Sequence, residues 1–176
     1  MGQKGSIIVL TGEGKGKTTA ALGMAMRAVG HGFRVAFLQF IKGTWKYGEL
    51  EAAKRLKPEL ELEPLGEGFV HVDPLNPDPR DVEVTRKAWE VCKEKILSGH
   101  YFMVVLDEIN YALSYGLLPL AEVLEVLKKR PDHVHVVLTG RNAPQEIIEL
   151  ADLVTEMKEI KHPFSKGIVS RKGIEY

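Results

Sequence analysis

The run Thr11-Gly-Glu-Gly-Lys-Gly-Lys-Thr18 packs three glycines, two lysines and a terminal hydroxyl into one short stretch. This mixture suits a polyphosphate. Gly12, Gly14 and Gly16 allow backbone N–H groups to curl around an anion without Cβ clashes. Lys17 supplies a mobile point charge for phosphate oxygens, and the Thr18 hydroxyl is a ligand type for Mg²⁺. The run fits G-x-x-x-x-G-K-[ST] except at its first position, where Thr11 replaces glycine. The bland alternative is a glycine-rich turn that happens to carry Lys-Thr, and the strand and helix patterns on either side argue against it. The expected nucleotide contacts are Thr11, Gly12, Glu13, Gly14, Lys15, Gly16, Lys17, Thr18 and Thr19.

Two further groups could complete such a site. Phe102-Met-Val-Val-Leu106 is an apolar run ending in Asp107-Glu108. A carboxylate at a strand end can hold Mg²⁺, or equally Mn²⁺, directly or through water, and which of the two acids does so is open. Thr139-Gly140-Arg141 follows another apolar run, and the planar fork of Arg141 suits a phosphate clamp, with a surface ion pair as the alternative. Arg27, well inside the first expected helix, is either a nucleotide contact or a solvated helix charge. His133 and His135 lie on one face of an expected strand and His162 precedes Pro163, spacings that make no convincing zinc site.

The elements that must position these groups alternate short apolar runs with helical patterns, the rhythm of a mainly parallel sheet with crossover helices. Strands are expected over Ser6–Thr11, Arg34–Phe40, Tyr101–Asp107, His133–Thr139 and Leu153–Met157. Helices are expected over Thr18–Val29, stopped by Gly30-His31-Gly32, and over Gly48–Leu56, ending before Pro58. Asp78-Pro79 offers an N-cap and an N1 proline for a helix running to Gly99. Pro119 opens a helix ending at Arg130, and Pro144 a short one. The piece from Glu63 to Pro79, with four prolines and two glycines, is expected to be an irregular loop. Its apolar middle, Phe69-Val-His-Val72, suits a binding loop or a small edge strand. The fold class expected is a three-layer α/β P-loop NTPase of RecA-like build, with residues 1–176 forming a single nucleotide-binding domain.

Charge and composition narrow the partners. The chain has 24 Lys plus Arg against 24 Asp plus Glu, so nucleic acid is disfavoured as a primary partner. A hydrophobic fraction of 44% supports a core and excludes disorder. Cys92 is the only cysteine, which rules out an intrachain disulfide and a cysteine-based zinc cluster. No apolar run approaches the roughly 18 residues of a membrane helix, and the first residues do not read as a signal peptide, so a cytoplasmic protein is expected.

These motifs alone specify a Mg-nucleotide protein, and a general RecA-like P-loop ATPase or kinase would satisfy them. The sequence further resembles the P-loop ATP:corrinoid adenosyltransferases. The resemblance rests on Thr11–Ala21, Arg27-Ala-Val-Gly-His-Gly32, Gln39-Phe-Ile-Lys-Gly-Thr-Trp45 and Val105-Leu-Asp-Glu108. It continues through Thr139-Gly-Arg141, Ala151-Asp152, Lys161-His162 and the closing Gly173-Ile-Glu-Tyr176. It implies transfer of the 5′-deoxyadenosyl group of ATP to the Co(I) of a reduced corrinoid, cobalamin or a precursor, with release of triphosphate. It also implies a homodimer and a flavoprotein as electron donor. Lys17 and Arg141 would serve the triphosphate, and Thr18 with Glu108 or Asp107 the metal.

The family displaces the lower axial ligand of Co(II) with bulky apolar side chains from a loop like Glu67-Gly-Phe-Val-His71. The resemblance therefore assigns Phe69 to the corrinoid. His71 stands where the family has Trp, a polar ring at a position meant for apolar exclusion. Some members also fold an N-terminal helix over the site. The first strand here is expected about six residues in, so another element would provide that cover or the corrinoid site would be more open.

Overall fold

The computed structural model describes residues 4–41, 47–68 and 77–174. In chain order the elements are β1 (Ile7–Thr11), α1 (Lys17–Gly30), β2 (Val35–Gln39), α2 (Gly48–Lys54), β3 (Leu60–Pro64) and α3 (Pro79–Leu97). These are followed by β4 (Met103–Asp107), α4 (Ile109–Ser114), α5 (Leu120–Lys129), β5 (His135–Thr139), α6 (Gln145–Leu150), β6 (Leu153–Glu156) and a 3₁₀ turn at Pro163–Lys166. The six strands form one sheet in the order β3-β2-β4-β5-β1-β6. Every neighbouring pair is parallel.

Strand side chains alternate between two cores, as the period of two demands. Ile7, Val9, Ala36, Leu38, Val104 and Leu106 face one core, with Trp89, Cys92 and Ile96 of α3, Val123 and Leu127 of α5, and Ile147 of α6. Ile8, Leu10, Val35, Phe37, Met103 and Val105 face the other, with Ala21, Ala25 and Ala28 of α1 and Ala53 of α2. Alanine at every buried position of α1 but Lys17 lets this helix lie close on the sheet that carries the phosphate loop. Asp78 caps α3 as expected, its carboxylate accepting the Arg80 N–H at 2.8 Å with Pro79 at the first helical position. Cys92 is buried, and burial pushes its thiol well up, so it is an inert core residue.

Three elements differ from expectation. β3 was not expected, and it takes Glu63 and Pro64 out of the supposed loop. Its Leu-Glu-Leu-Glu alternation is that of an edge strand with one wet face, where a proline is tolerated. The wet face is organised by charge. Glu61 accepts from the Tyr101 hydroxyl at 2.6 Å and from Lys95 Nζ at 3.0 Å, and pairs with Arg34. α4 was also not expected, because six residues directly after a strand carry too short a pattern to show helical periodicity. Finally, α2 stops at Lys54 rather than Leu56.

Burial alone would raise the Glu61 carboxyl, but hydrogen bonds from Tyr101, Lys95 and Arg34 outweigh it and hold it at about 2. A depressed carboxylate stabilises the fold above its unfolded value near 4.5, and that contribution is lost as pH falls toward about 2. Glu61→Gln is therefore expected to unfold at lower denaturant concentration at pH 7, with the gap to the parent closing between pH 4.5 and pH 2. A gap that stays constant over this range would remove Glu61 from the linkage.

Candidate active site

Because the sheet is parallel, the ends of β1, β2, β4 and β5 all reach the same edge, and each delivers one polar group there. β1 ends at Thr11 and runs into the phosphate loop. Gln39 at the end of β2 lies in register with Asp107 at the end of β4. Thr139 ends β5, one residue past the Leu106–Leu138 pair on both strands. β5 thus stands between the loop strand and the acid strand.

The loop is shaped from both sides. Gly12 and Gly16 have φ of 95° and 117°, in the left-handed region where side chains are strained. A Cβ on Gly12 or Gly14 would fall within 2.7 Å of the Met157 carbonyl oxygen. The Gly14 N–H donates to that oxygen at 2.6 Å, and the Met157 N–H donates to the Thr11 carbonyl at 2.8 Å. The segment just after β6 therefore holds the loop to the sheet, and the Gly14 amide is committed to it. α1 begins at Lys17 and presents its positive end to the loop.

Lys17 is buried, and its Nζ donates to the Gly12 and Gly14 carbonyls at 2.7 and 2.8 Å. Burial lowers its pKa below the ordinary lysine range, Glu108 opposes this, Arg141 adds to it and Glu13 opposes it. The ammonium is thus folded back on its own loop, with one N–H left for an anion. Across the loop, Arg141 Nε lies 3.2 Å from Glu13 Oε2, and both side chains are more than half exposed. The arginine fork is therefore where a phosphate clamp would sit, with the Glu13 carboxylate as its partner. Lys15 Nζ donates to the Ile174 carbonyl at 3.0 Å.

The acids are built differently from each other. Asp107 is wholly buried. Its Oδ1 accepts from the hydroxyls of Thr18 and Thr139, both at 2.8 Å, and its Oδ2 accepts from Gln39 Nε2 at 3.2 Å. Glu108 is only half-buried and adopts left-handed φ and ψ of 65° and 20°, with its N–H donating to Thr139 Oγ1 at 2.9 Å. Gln39 Oε1 beside Asp107 is buried and has no hydrogen-bond partner among the described residues. A hydroxyl, two carboxylates and a spare amide acceptor form an all-oxygen donor set, which fits a hard divalent cation that keeps part of its water shell.

Of the residues expected from sequence, the structure brings together Lys17, Thr18, Asp107, Glu108, Glu13 and Arg141. Thr19 is exposed on α1. Arg27 is not brought to the loop. It is exposed in the last turn of α1, about 15 Å along the axis from Lys17 at about 1.5 Å per residue. Phe69 and His71 lie outside the described residues. Thr139 and Gln39 are site residues that reading for charge missed, because each appeared only as part of a longer matching stretch.

A family model for ATP:corrinoid adenosyltransferases (BtuR/CobO/CobP) matches residues 3–176. The chain belongs to this family. A corrinoid adenosyltransferase of Sinorhizobium sp is 49% identical over 99% of this chain and 81% of the relative. That of Escherichia coli K12 is 43% identical over 99% of this chain and 87% of the relative. At the level of fold, the crystal structure of the RadB recombinase superposes with a TM-score of 0.54 at 16% identity, covering 91% of this chain and 77% of that one. The adenosyltransferase family and the RecA-like sheet are thus both as the sequence led us to expect. Among the described residues no helix is long and apolar enough to cross a membrane.

Two outcomes follow from the loop. Glu13→Gln frees Arg141 from an exposed ion pair worth about 0.2–1 kcal/mol, so the Kd for inorganic triphosphate is expected to fall about 1.4- to 5-fold by calorimetry. An unchanged or weaker Kd would mean that Glu13 does not compete with the ligand. Since burial makes the Lys17 ammonium give up its proton early, triphosphate affinity is expected to decline at a pH below the ordinary lysine range. Lys17→Arg, which keeps its charge, should flatten that decline if Lys17 is its source.

Proposed function

We propose that this protein transfers the 5′-deoxyadenosyl group of ATP to the Co(I) of a reduced corrinoid, cobalamin or a precursor, and releases triphosphate. The observation that carries this reading is the breadth of the family match, which spans the phosphate loop, the strand-end acids and the Thr139–Arg141 corner together. A general P-loop ATPase or kinase would account for the loop and acids, but not for identity extending over nearly the full chain.

The electron count fixes what the protein must do. The lone pair on Co(I) forms the Co–C5′ bond, the C5′–O5′ bond breaks, and its electrons leave on the triphosphate oxygen. Because the substrate is itself a strong nucleophile, no side chain has to supply one. The demands are in-line positioning and compensation of a highly anionic leaving group. In this reading Lys17 and Arg141 hold the triphosphate with the amides of Lys15, Gly16, Lys17 and Thr18, while Thr11, Gly12, Glu13 and Thr19 border the nucleotide. Thr18 would hold Mg²⁺ or Mn²⁺, with Glu108 and Asp107 acting directly or through water, and the cation would neutralise charge on the leaving triphosphate.

For the corrinoid we retain Phe69 as the apolar side chain that excludes the lower axial ligand, with His71 beside it as a polar departure. A reduced flavoprotein would supply the electron for Co(II), and the working unit would be a cytoplasmic homodimer of a single domain covering residues 1–176.

The test is to incubate the protein with Mg-ATP and chemically reduced cobalamin and to identify the products. Triphosphate together with a light-sensitive Co–C corrinoid is the expected result, while ADP and phosphate formed without corrinoid would sink the proposal. Lys17→Ala is expected to lower turnover by at least about 10²-fold. Phe69→Ala should slow the reaction from Co(II) under mild reductant more than the reaction from preformed Co(I), and equal slowing would exclude Phe69 from ligand displacement.

A further inference from the structure

We propose that Thr139 is a positioning residue of the cation site, setting both the Thr18 hydroxyl and the Glu108 carboxylate for a divalent ion. The inference rests on the nucleotide-binding part of the reading above, and not on the identity of the acceptor that takes the adenosyl group.

The argument comes from the direction of the hydrogen bonds. A backbone N–H can only donate and an ionised carboxylate can only accept, so the chain from Glu108 to Asp107 has one possible polarity. Glu108 N–H donates to Thr139 Oγ1 at 2.9 Å, and the Thr139 hydroxyl must then give its own proton to Asp107 Oδ1 at 2.8 Å. The same Oδ1 takes the proton of the Thr18 hydroxyl at 2.8 Å. With its proton committed to Asp107, Thr18 keeps its oxygen lone pairs for a cation. Thr139 and Thr18 thus share one acceptor atom, and Thr139 is the link that ties the backbone of Glu108 to it.

That link acts at a strained position. Glu108 is one of two non-glycine residues described with positive φ, and it is the N-cap residue of α4. The conformation of Glu108 decides where its carboxylate goes, and the Thr139 oxygen is the acceptor that fixes its N–H. Packing around the corner is tight. Gly140 follows with φ of 125°, and a Cβ there would lie 3.0 Å from Asn110 Cβ. Thr139 is wholly buried, so water cannot replace its hydroxyl without rearrangement. A threonine that merely packed in β5 would not need its hydroxyl, and valine would serve in its place.

The test compares ATP binding with and without the metal on the full chain. Calorimetry gives the Kd for ATP in EDTA and then the Mg²⁺ concentration that half-completes its tightening, for the parent, Thr139→Val and Thr139→Ser. Removal of a group that orients metal ligands costs about 10–100-fold in metal affinity. Thr139→Val is expected to raise the half-point Mg²⁺ concentration about 10-fold or more while the metal-free Kd changes less than about 2-fold, and Thr139→Ser should recover the parent half-point. An unchanged half-point in the valine variant overturns the proposal, as do equal losses with and without metal, or a serine variant no better than valine. If valine prevents folding, Thr139→Ala against Thr139→Ser is judged by the same ratio. The product assay on the parent protein is read separately, so a failed adenosyl transfer with intact Mg²⁺-dependent ATP binding counts against the enzyme assignment and not against Thr139.

Discussion

Asp107 is a carboxylate with no exposed surface, and a buried carboxylate must be met by donors or it will not stay ionised. Three strands and one helix contribute to meeting it. β4 carries the acid, β2 brings the Gln39 amide, β5 brings the Thr139 hydroxyl, and α1 brings the Thr18 hydroxyl at its first turn. The rest of the site follows from that convergence. Placing Thr18 against Asp107 fixes where α1 starts, and the start of α1 fixes where Lys17 and the loop amides lie. The parallel sheet is the means by which residues far apart in sequence reach one edge in register.

Beside this buried acid stands a more accessible and strained one. Glu108 sits one residue further on, in a left-handed conformation that costs a non-glycine residue roughly 1–2 kcal/mol. The two neighbouring carboxylates are therefore not duplicates. Asp107 accepts from Thr18, Thr139 and Gln39 in the interior, while Glu108 is half-buried at the N-cap of α4. One carboxylate is thus enclosed among protein donors and the other is partly open to solvent.

Much of this was legible in the sequence, and what was missed has physical causes. The phosphate loop was visible because its demand for glycine, lysine and a hydroxyl at fixed spacing leaves little freedom. The buried strands showed as unbroken apolar runs because both faces are covered. β3 did not, because an edge strand with glutamates on its wet face looks like any charged segment, and Pro64 disguised it further. α4 was too short to carry a period. Gln39 and Thr139 were overlooked as single residues because neutral polar side chains take on a role only through their partners, here Asp107, which is nearly 70 residues from one of them. Arg27 makes the opposite case. Its charge invited a role at the phosphates, but α1 carries it to the far end of the helix.

The bond between the Gly14 amide and the Met157 carbonyl has an implication for heritable design. The stretch from Thr11 to Thr18 is usually thought of as a portable cassette, a string of letters that makes a cradle wherever a strand meets a helix. Here the curvature of the cradle is templated by a segment some 140 residues downstream, against whose carbonyl Gly12 and Gly14 have no room for a side chain. Cassette and template form one hereditary unit split across the chain. A terminal truncation that removed β6 together with Met157 would leave the motif intact as text while erasing its shape.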